Sequence, residues 1–519
     1  MRRIFRILSA AGLLCLLLPA GNILPALASS PEKVLNLAVS ADIISLYPYA
    51  ELSGESIRYC HLVFDPLVRW NKDMKLEPRL AESWEQIDPR TMRFRLRENV
   101  VFHSGNPFTA GDVVWTVNRL KDSPAYMALF EPFASARAVD EHTVEISTHR
   151  PYGLVLNLAT YIFVLDSRFY KGEGGRSVEG RPASAGLRAS GTGPFILEQW
   201  TRNAEMLLRA FTAYWGERGN VDRIRATVIK DGARRVDSLF SGAVDMILTV
   251  PSQDYGRLLK DRRVQFAAMN SSRLILIQMN AGRRKELADP RVREAIIRAT
   301  DNEALVNTIM RGYPVAATQQ IPPHMDGYNP DLPPRYNLGR ARQLLSEAGY
   351  ANGFSLTMLS PDDRYVNDEK ISRAFVNMLA KINIRVELTT LPTERFFEEF
   401  DAKSADLQLI GWHPDTEDAA NFSEYLLMCP DADTGYGIYN SGNYCNKRLD
   451  ELTLACQTET DHARRNAMLR EIEKIAYDDA AFIPLYFEHY AWAAGMKLKN
   501  FREILIPANI PYLGDLILD

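Results

Sequence analysis

Residues 33–40 (KVLNLAVS) alternate between apolar and polar positions, and this period of two predicts an opening strand. The same alternation returns at 91–96, where Arg93 and Arg95 take the water-facing positions of a half-buried strand. Residues 56–63 read as a helix. Thr109 reads as the N-cap of another, with Asp112 three residues on in a capping-box variant that also suits the helix dipole. Residues 273–279 (RLILIQM) form a continuous apolar strand, and a polar break at 281–288 follows it. A domain crossing is expected at that break. From Asp289 the texture changes. Helical periodicity at 292–300, 337–348 and 370–382 interleaves with strands at 355–359, 384–390 and 407–411, which predicts a parallel or mixed sheet. Residues 461–476 read as a long helix. Residues 482–490 read as a strand that returns to the first lobe, and a chain that leaves a lobe and comes back makes a hinged pair.

The first thirty residues change the picture. Arg2, Arg3 and Arg6 precede an apolar run at 7–19, and Ala26-Leu27-Ala28 supplies the small-x-small pattern of a signal peptidase site. The run falls short of the ~20 residues that span a bilayer. Leu13 and Leu14 precede Cys15, where a lipid-anchor motif requires a small residue. Cleavage after Ala28 and a freely soluble periplasmic protein are therefore expected. With 519 residues, 46% of them hydrophobic and 24% charged, the chain has room for two to four domains. Its net charge of −4 becomes more negative once the leader arginines are gone, which argues against nucleic acid as a partner.

Export implies an oxidising compartment. Cys60, Cys429, Cys445 and Cys456 remain, and four cysteines allow three pairings. Cys429 with Cys445 is the preferred pair, because it staples a loop rich in Gly, Asp, Asn and Tyr. Cys60 and Cys456 are then free and buried. No cysteine has metal-site spacing, no H-x-H or H-E-x-x-H occurs, and no metal or cofactor is expected. Residues 190–194 (SGTGP) lack the phosphate-loop pattern, and Pro194 has no amide to donate; they read as a tight turn beside the interlobe crossing. Residues 171–190 read as an exposed connection. No local Ser/His/Asp or paired-carboxylate motif stands out, so no enzyme is expected.

Several segments carry a family resemblance. They are residues 66–120 (PLVRWNKDMKLEPRLAESWEQIDPRTMRFRLRENVVFHSGNPFTAGDVVWTVNRL), 190–200 (SGTGPFILEQW), 289–306 (DPRVREAIIRATDNEALV), 337–350 (NLGRARQLLSEAGY), 411–422 (GWHPDTEDAANF) and 480–487 (AAFIPLYF). Together they resemble the family 5 extracellular solute-binding proteins, the dipeptide and oligopeptide group of ABC-importer receptors. The resemblance implies an α/β, two-lobed periplasmic-binding-protein (Venus-flytrap) fold with mixed sheets and an extra subdomain on the first lobe. After a leader at 1–28, lobe I takes 29–76, 188–281 and 490–519, the inserted subdomain 77–187 and lobe II 282–489. A monomer is expected to capture a short peptide or peptide-like solute between its lobes and deliver it to membrane permease subunits. The alternative is the same role for a nickel chelate, an opine or another non-peptide solute.

A free peptide carries an ammonium and a carboxylate, and a closed cleft dries both, so each needs a paired partner. By the resemblance, Asp415 in Gly411-Trp412-His413-Pro414-Asp415 holds the ammonium, with Asp418 as its substitute. The other reading of either aspartate is a cap for the helix near Ala419. Arg364, in the loop after the 355–359 strand, matches the arginine that holds the carboxylate in dipeptide-binding relatives, and a guanidinium fork suits that task. Alternatively it pairs with Asp362 or Asp363 on the surface. Trp412 lines the pocket or packs on Phe422. Ser53 and Gly54 fall where relatives offer backbone groups, beside Glu55. Tyr436, with Tyr439 and Asn440, is expected at the cleft edge. His413 is the candidate for a metal chelate, set against an ordinary structural histidine.

Overall fold

Two apolar runs are longer than a single sheet layer needs, and the computed structural model shows what the length is for. It describes residues 31–519 apart from 128, 172–188 and 432–433. The leader with its cleavage site, Cys15 and nearly all of the connection at 171–190 lie outside the described residues. The outgoing strand Val264–Met279 and the returning strand Phe482–Gly495 pair antiparallel along almost their whole length. Their register runs from Val264 opposite Gly495 to Asn270 opposite His489, shifts, and resumes at Leu274 opposite Phe487. The irregular stretch is therefore Ser271-Ser272-Arg273 facing Glu488. Such a break bends and twists a strand pair locally.

Different strands flank the two halves of this ribbon. On one side of the shift the returning strand pairs with Met246–Leu248, and the sheet continues through Val34–Val39, Arg223–Val228, Glu205–Ala210 and Phe195–Thr201. On the other side the outgoing strand pairs with Leu407–Trp412, followed by the parallel strands Phe354–Pro361 and Ile384–Leu391. The result is one mixed sheet serving two lobes. A separate four-stranded antiparallel sheet, Ala81–Asp88, Thr91–Leu96, Thr143–Thr148 and Phe133–Asp140, forms the extra subdomain. Its Phe94 and Ile146 belong to the same core as Leu35, Phe163 and Trp492, so the subdomain shares the first lobe's interior. Beside it, helix Ala110–Asp122 starts as the sequence predicts, the Asp112 carboxylate accepting from the Thr109 amide at 2.9 Å.

The cores locate the crossing. Ala267, Trp492 and Ala494 pack in the first-lobe core, whereas Leu274, Ile275, Tyr486 and Phe487 pack in the second-lobe cores. The chain thus crosses within the strands, near 270–273 and 488–490, and not at the polar break after Met279. Nothing within the run RLILIQM marks which core each side chain joins, and the break at 281–288 is only where the strand stops. The SGTGP turn also differs from expectation. The Gly193 amide donates to Val63 O at 3.0 Å, and a Cβ on Gly191 would stand 2.1 Å from that oxygen. The turn therefore locks the end of helix Gly54–Val63 inside the first lobe.

Among the described residues, no helix is long and apolar enough to cross a membrane. Cys429 and Cys445 form a disulfide, while Cys60 and Cys456 are free and buried. Asp418 takes the capping role, which removes it from the ligand candidates. It accepts from the Ala420 amide at 2.9 Å and N-caps helix Ala419–Leu426. Both its oxygens meet Arg465, at 2.6 and 2.8 Å, in a bidentate pair whose side chains are only 5% and 10% exposed. Asp418→Ala leaves that guanidinium buried and unpaired. It is expected to cost about 3–5 kcal/mol of second-lobe stability in urea unfolding, with ligand affinity of the folded protein little changed.

Candidate functional site

At the crossing the two lobes enclose a cavity of about 570 Å³. Its first-lobe wall is the start of helix Gly54–Val63, with Ser53, Gly54, Glu55 and Arg58. Its floor is the irregular part of the strand pair, with Arg273, Glu488, His489 and Tyr490. Its second-lobe wall carries Arg364, His413, Asp415 and Glu417. The volume lies in the range of pockets that enclose small organic ligands, about 300–1,000 Å³.

Ion pairing sorts the charges of this cavity. Arg58 meets Glu55 at 3.0 Å, Arg69 meets Glu77 and Asp515 at 2.6 and 2.8 Å, and Arg273 lies 3.5 Å from Glu488. Glu417 accepts from Ser272 Oγ at 2.7 Å and lies 3.3 Å from His413 Nε2. Two charged side chains remain. Among the described residues, the Asp415 carboxylate has no hydrogen-bond donor or ion-pair partner, and the Arg364 guanidinium has no carboxylate within 4 Å. They carry opposite signs.

Each is held through its backbone or its neighbours. Asp415 leaves the end of strand Leu407–Trp412 behind Pro414. First-lobe groups grip its turn: Tyr161 Oη donates to Asp415 O at 2.6 Å and Asn157 Nδ2 to Thr416 O at 2.9 Å. Burial raises the Asp415 carboxyl above its ordinary value, with nearby His413 and Arg273 pulling against it. Arg364 lies in the turn between strand Phe354–Pro361 and helix Asp368–Ala380. The Asp368 carboxylate accepts from the Arg364 and Tyr365 amides, both at 3.0 Å, and Asn367 takes the left-handed conformation that closes the turn. Arg364 Nε donates to Tyr365 Oη at 3.3 Å, and the guanidinium sits 4.8 Å from the centre of the Phe397 ring. The surface pairing with Asp363 does not occur, because Asp363 is taken by the Thr393 amide and hydroxyl at 2.8 and 2.6 Å.

Of the sequence candidates, the cavity gathers Ser53, Gly54, Arg364, His413 and Asp415. Ser53 Oγ accepts from the Ser56 amide at 3.2 Å, so it acts as the helix cap. Trp412 and Tyr436 are not on the lining, in contrast to expectation. The Trp412 ring packs with Tyr425 and Tyr439, and its Nε1 donates to Asn421 Oδ1 at 3.1 Å. Tyr436 Oη donates to Gln457 Oε1 at 3.3 Å, near Arg150, on a separate seam between the lobes. Sequence reasoning missed Arg273, Glu488 and Glu417. The first two had a visible signal: charges interrupting the apolar runs that become the crossing strands.

Among the described residues, the one tight cluster of metal-ligating types is Cys429, Cys445 and Asp450, and its two sulfurs are joined to each other. Of the histidines lining the cavity, His413 lies against Glu417, His489 Nε2 lies 2.7 Å from Tyr255 Oη, and His61 packs edge-on against Phe163 and Tyr512.

Residues 75–434 match the family model described as bacterial extracellular solute-binding proteins, family 5 Middle. The chain is 26% identical over 483 residues to the glutathione-binding protein GsiB of Escherichia coli (strain K12), covering 90% of this chain and 92% of that protein. It is 26% identical over 431 residues to the dipeptide-binding protein of the same strain, covering 78% and 79%. The solved structure of HbpA2 from Haemophilus parasuis shares the fold at a TM-score of 0.84 and 23% identity, over 94% of this chain and all of that one. The chain belongs to the family 5 bacterial extracellular solute-binding proteins, the receptors that deliver solutes to ABC importers.

Proposed function

We propose that the cavity captures a short peptide with free termini, Asp415 pairing with its ammonium and Arg364 with its carboxylate. One observation carries this reading: every other charged side chain lining the cavity has a close partner, and the two without one have the signs a zwitterion needs. The name of one relative supports it, since a dipeptide carries one free ammonium and one free carboxylate. The engagement of His413 with Glu417 favours a peptide over a metal chelate. In this reading the leader is removed after Ala28, a monomer circulates in the periplasm, and no chemical step follows binding. Ligand shifts the balance between open and closed lobes, and the permease receives the closed form.

Removing either partner strands a ligand charge in a dry site. Asp415→Ala and Arg364→Ala are each expected to weaken binding of reduced glutathione or trialanine by about 2 kcal/mol or more, roughly thirtyfold, in calorimetry. N-acetyltrialanine, which lacks the ammonium, is expected to bind weakly and to be indifferent to Asp415→Ala. Tight binding of the acetylated peptide would sink the assignment.

A pH titration follows from the raised Asp415 carboxyl. In the ligand-free fold it holds its proton above the ordinary carboxylate value of about 3.9. Its contribution therefore lowers stability as pH rises through the window between those two values. A bound ammonium requires the ionised form, so affinity has the opposite trend. It is expected to fall as pH drops into that window, by up to about tenfold per unit. Asp415→Asn is expected to flatten the profile.

A further inference from the structure

The turn that presents Asp415 contains a backbone anomaly. Glu417 has φ = 49°, in the left-handed region that a glutamate rarely occupies. Its amide donates to Pro414 O at 2.9 Å, which closes the turn over Asp415 and Thr416. A residue held in such a conformation needs surroundings that over-determine it. Here those surroundings are its own side chain. The carboxylate is 4% exposed, one oxygen accepting from Ser272 Oγ at 2.7 Å and the other lying 3.3 Å from His413 Nε2. Ser272 is 1% exposed, is not on the cavity lining, and sits where the register of the crossing strands shifts. One carboxylate thus ties the ligand-facing turn to the place where the chain passes between lobes. The other two holds on this turn act elsewhere: Tyr161 and Asn157 grip main-chain oxygens at 415 and 416, and the Asp418–Arg465 pair anchors the helix start.

We propose that Glu417 is a positioning residue for the ammonium site: clamped by Ser272 and His413, it keeps the turn in the one backbone form that leaves the Asp415 carboxylate unpartnered toward the cavity. This rests on the reading of Asp415 given above. A carboxylate on a free-swinging turn finds a local amide or water to bind, and its charge is then no longer preorganised for a ligand. The clamp prevents that. It also makes the crossing strand a party to ligand binding, because a shift at Ser272 pulls directly on the turn.

Ser272→Ala is the cleanest test, since Ser272 touches the clamp and not the cavity. Glu417→Ala and Glu417→Gln accompany it; the glutamine keeps an oxygen to accept from Ser272. Without ligand, exchange of the Glu417 amide is read by hydrogen–deuterium methods. It is expected to quicken about tenfold or more in Ser272→Ala and Glu417→Ala, and to stay within about threefold in Glu417→Gln. With ligand, trialanine is expected to lose about tenfold or more in affinity to the first two variants, and N-acetyltrialanine to lose nothing. Unchanged exchange in both variants overturns the clamp. So does an equal loss for the free and acetylated peptides, which marks a general structural role. Asp415→Ala run in parallel separates the two readings. If it costs the free and the acetylated peptide equally, the ammonium assignment falls and the clamp's purpose falls with it. If it weakens the free peptide alone and Ser272→Ala does not, the clamp alone falls.

Discussion

A charge taken out of water must find a partner or cost several kcal/mol, and a cleft that closes on its ligand applies this rule to both surfaces at once. The interlobe cavity obeys it with two exceptions. Arg58, Arg69, Arg273 and Glu488 each have an oppositely charged group within 3.5 Å, and Glu417 has Ser272 and His413. Asp415 and Arg364 are left over. A wall of paired charges around two unpaired ones is selective. It repels nothing strongly, it offers no third ionic anchor, and it rewards a ligand that brings one charge of each sign. In the proposed reading, side chains between those ends then meet whatever the remaining walls provide.

The same constraint explains why the site lies at the strand crossing. Two strands shared by both lobes have to change neighbours and cores over a few residues. At that point the ladder is irregular, so backbone and side chains there are free for other uses. Ser272, Arg273 and Glu488 come from this stretch. The floor of the cavity is therefore part of the connection between lobes, and the Glu417 clamp extends that connection into the second-lobe wall. In the proposed reading, binding and lobe closure share residues, so that a small solute biases the balance between open and closed forms.

Much of this was legible in the chain. Strand and helix periodicities were clear because each element has one buried face, and the Cys429–Cys445 pair was readable because the loop it closes is local. The window GWHPDTEDAANF contains three acids, and local pattern cannot divide their labour. Asp418 is claimed by Arg465, 47 positions away in sequence, and Glu417 by Ser272, 145 positions before it. Arg364 was named through family resemblance, yet its freedom from Asp363 depends on Thr393 on another element. Trp412 and Tyr436 went to aromatic and polar neighbours because adjacency in sequence to a site residue says nothing about which way a side chain turns. The outgoing crossing was expected at the polar break after Met279, because an apolar strand looks the same whichever core receives it.

The most direct test is to purify the protein from its native source, weigh it intact by native mass spectrometry, and release and identify whatever is bound. Solutes with both a free ammonium and a free carboxylate, as a mixture of short peptides or as a single one, are the expected result. A ligand lacking either group, or a metal-bearing mass, would contradict the pairing of Asp415 and Arg364 on which the rest depends.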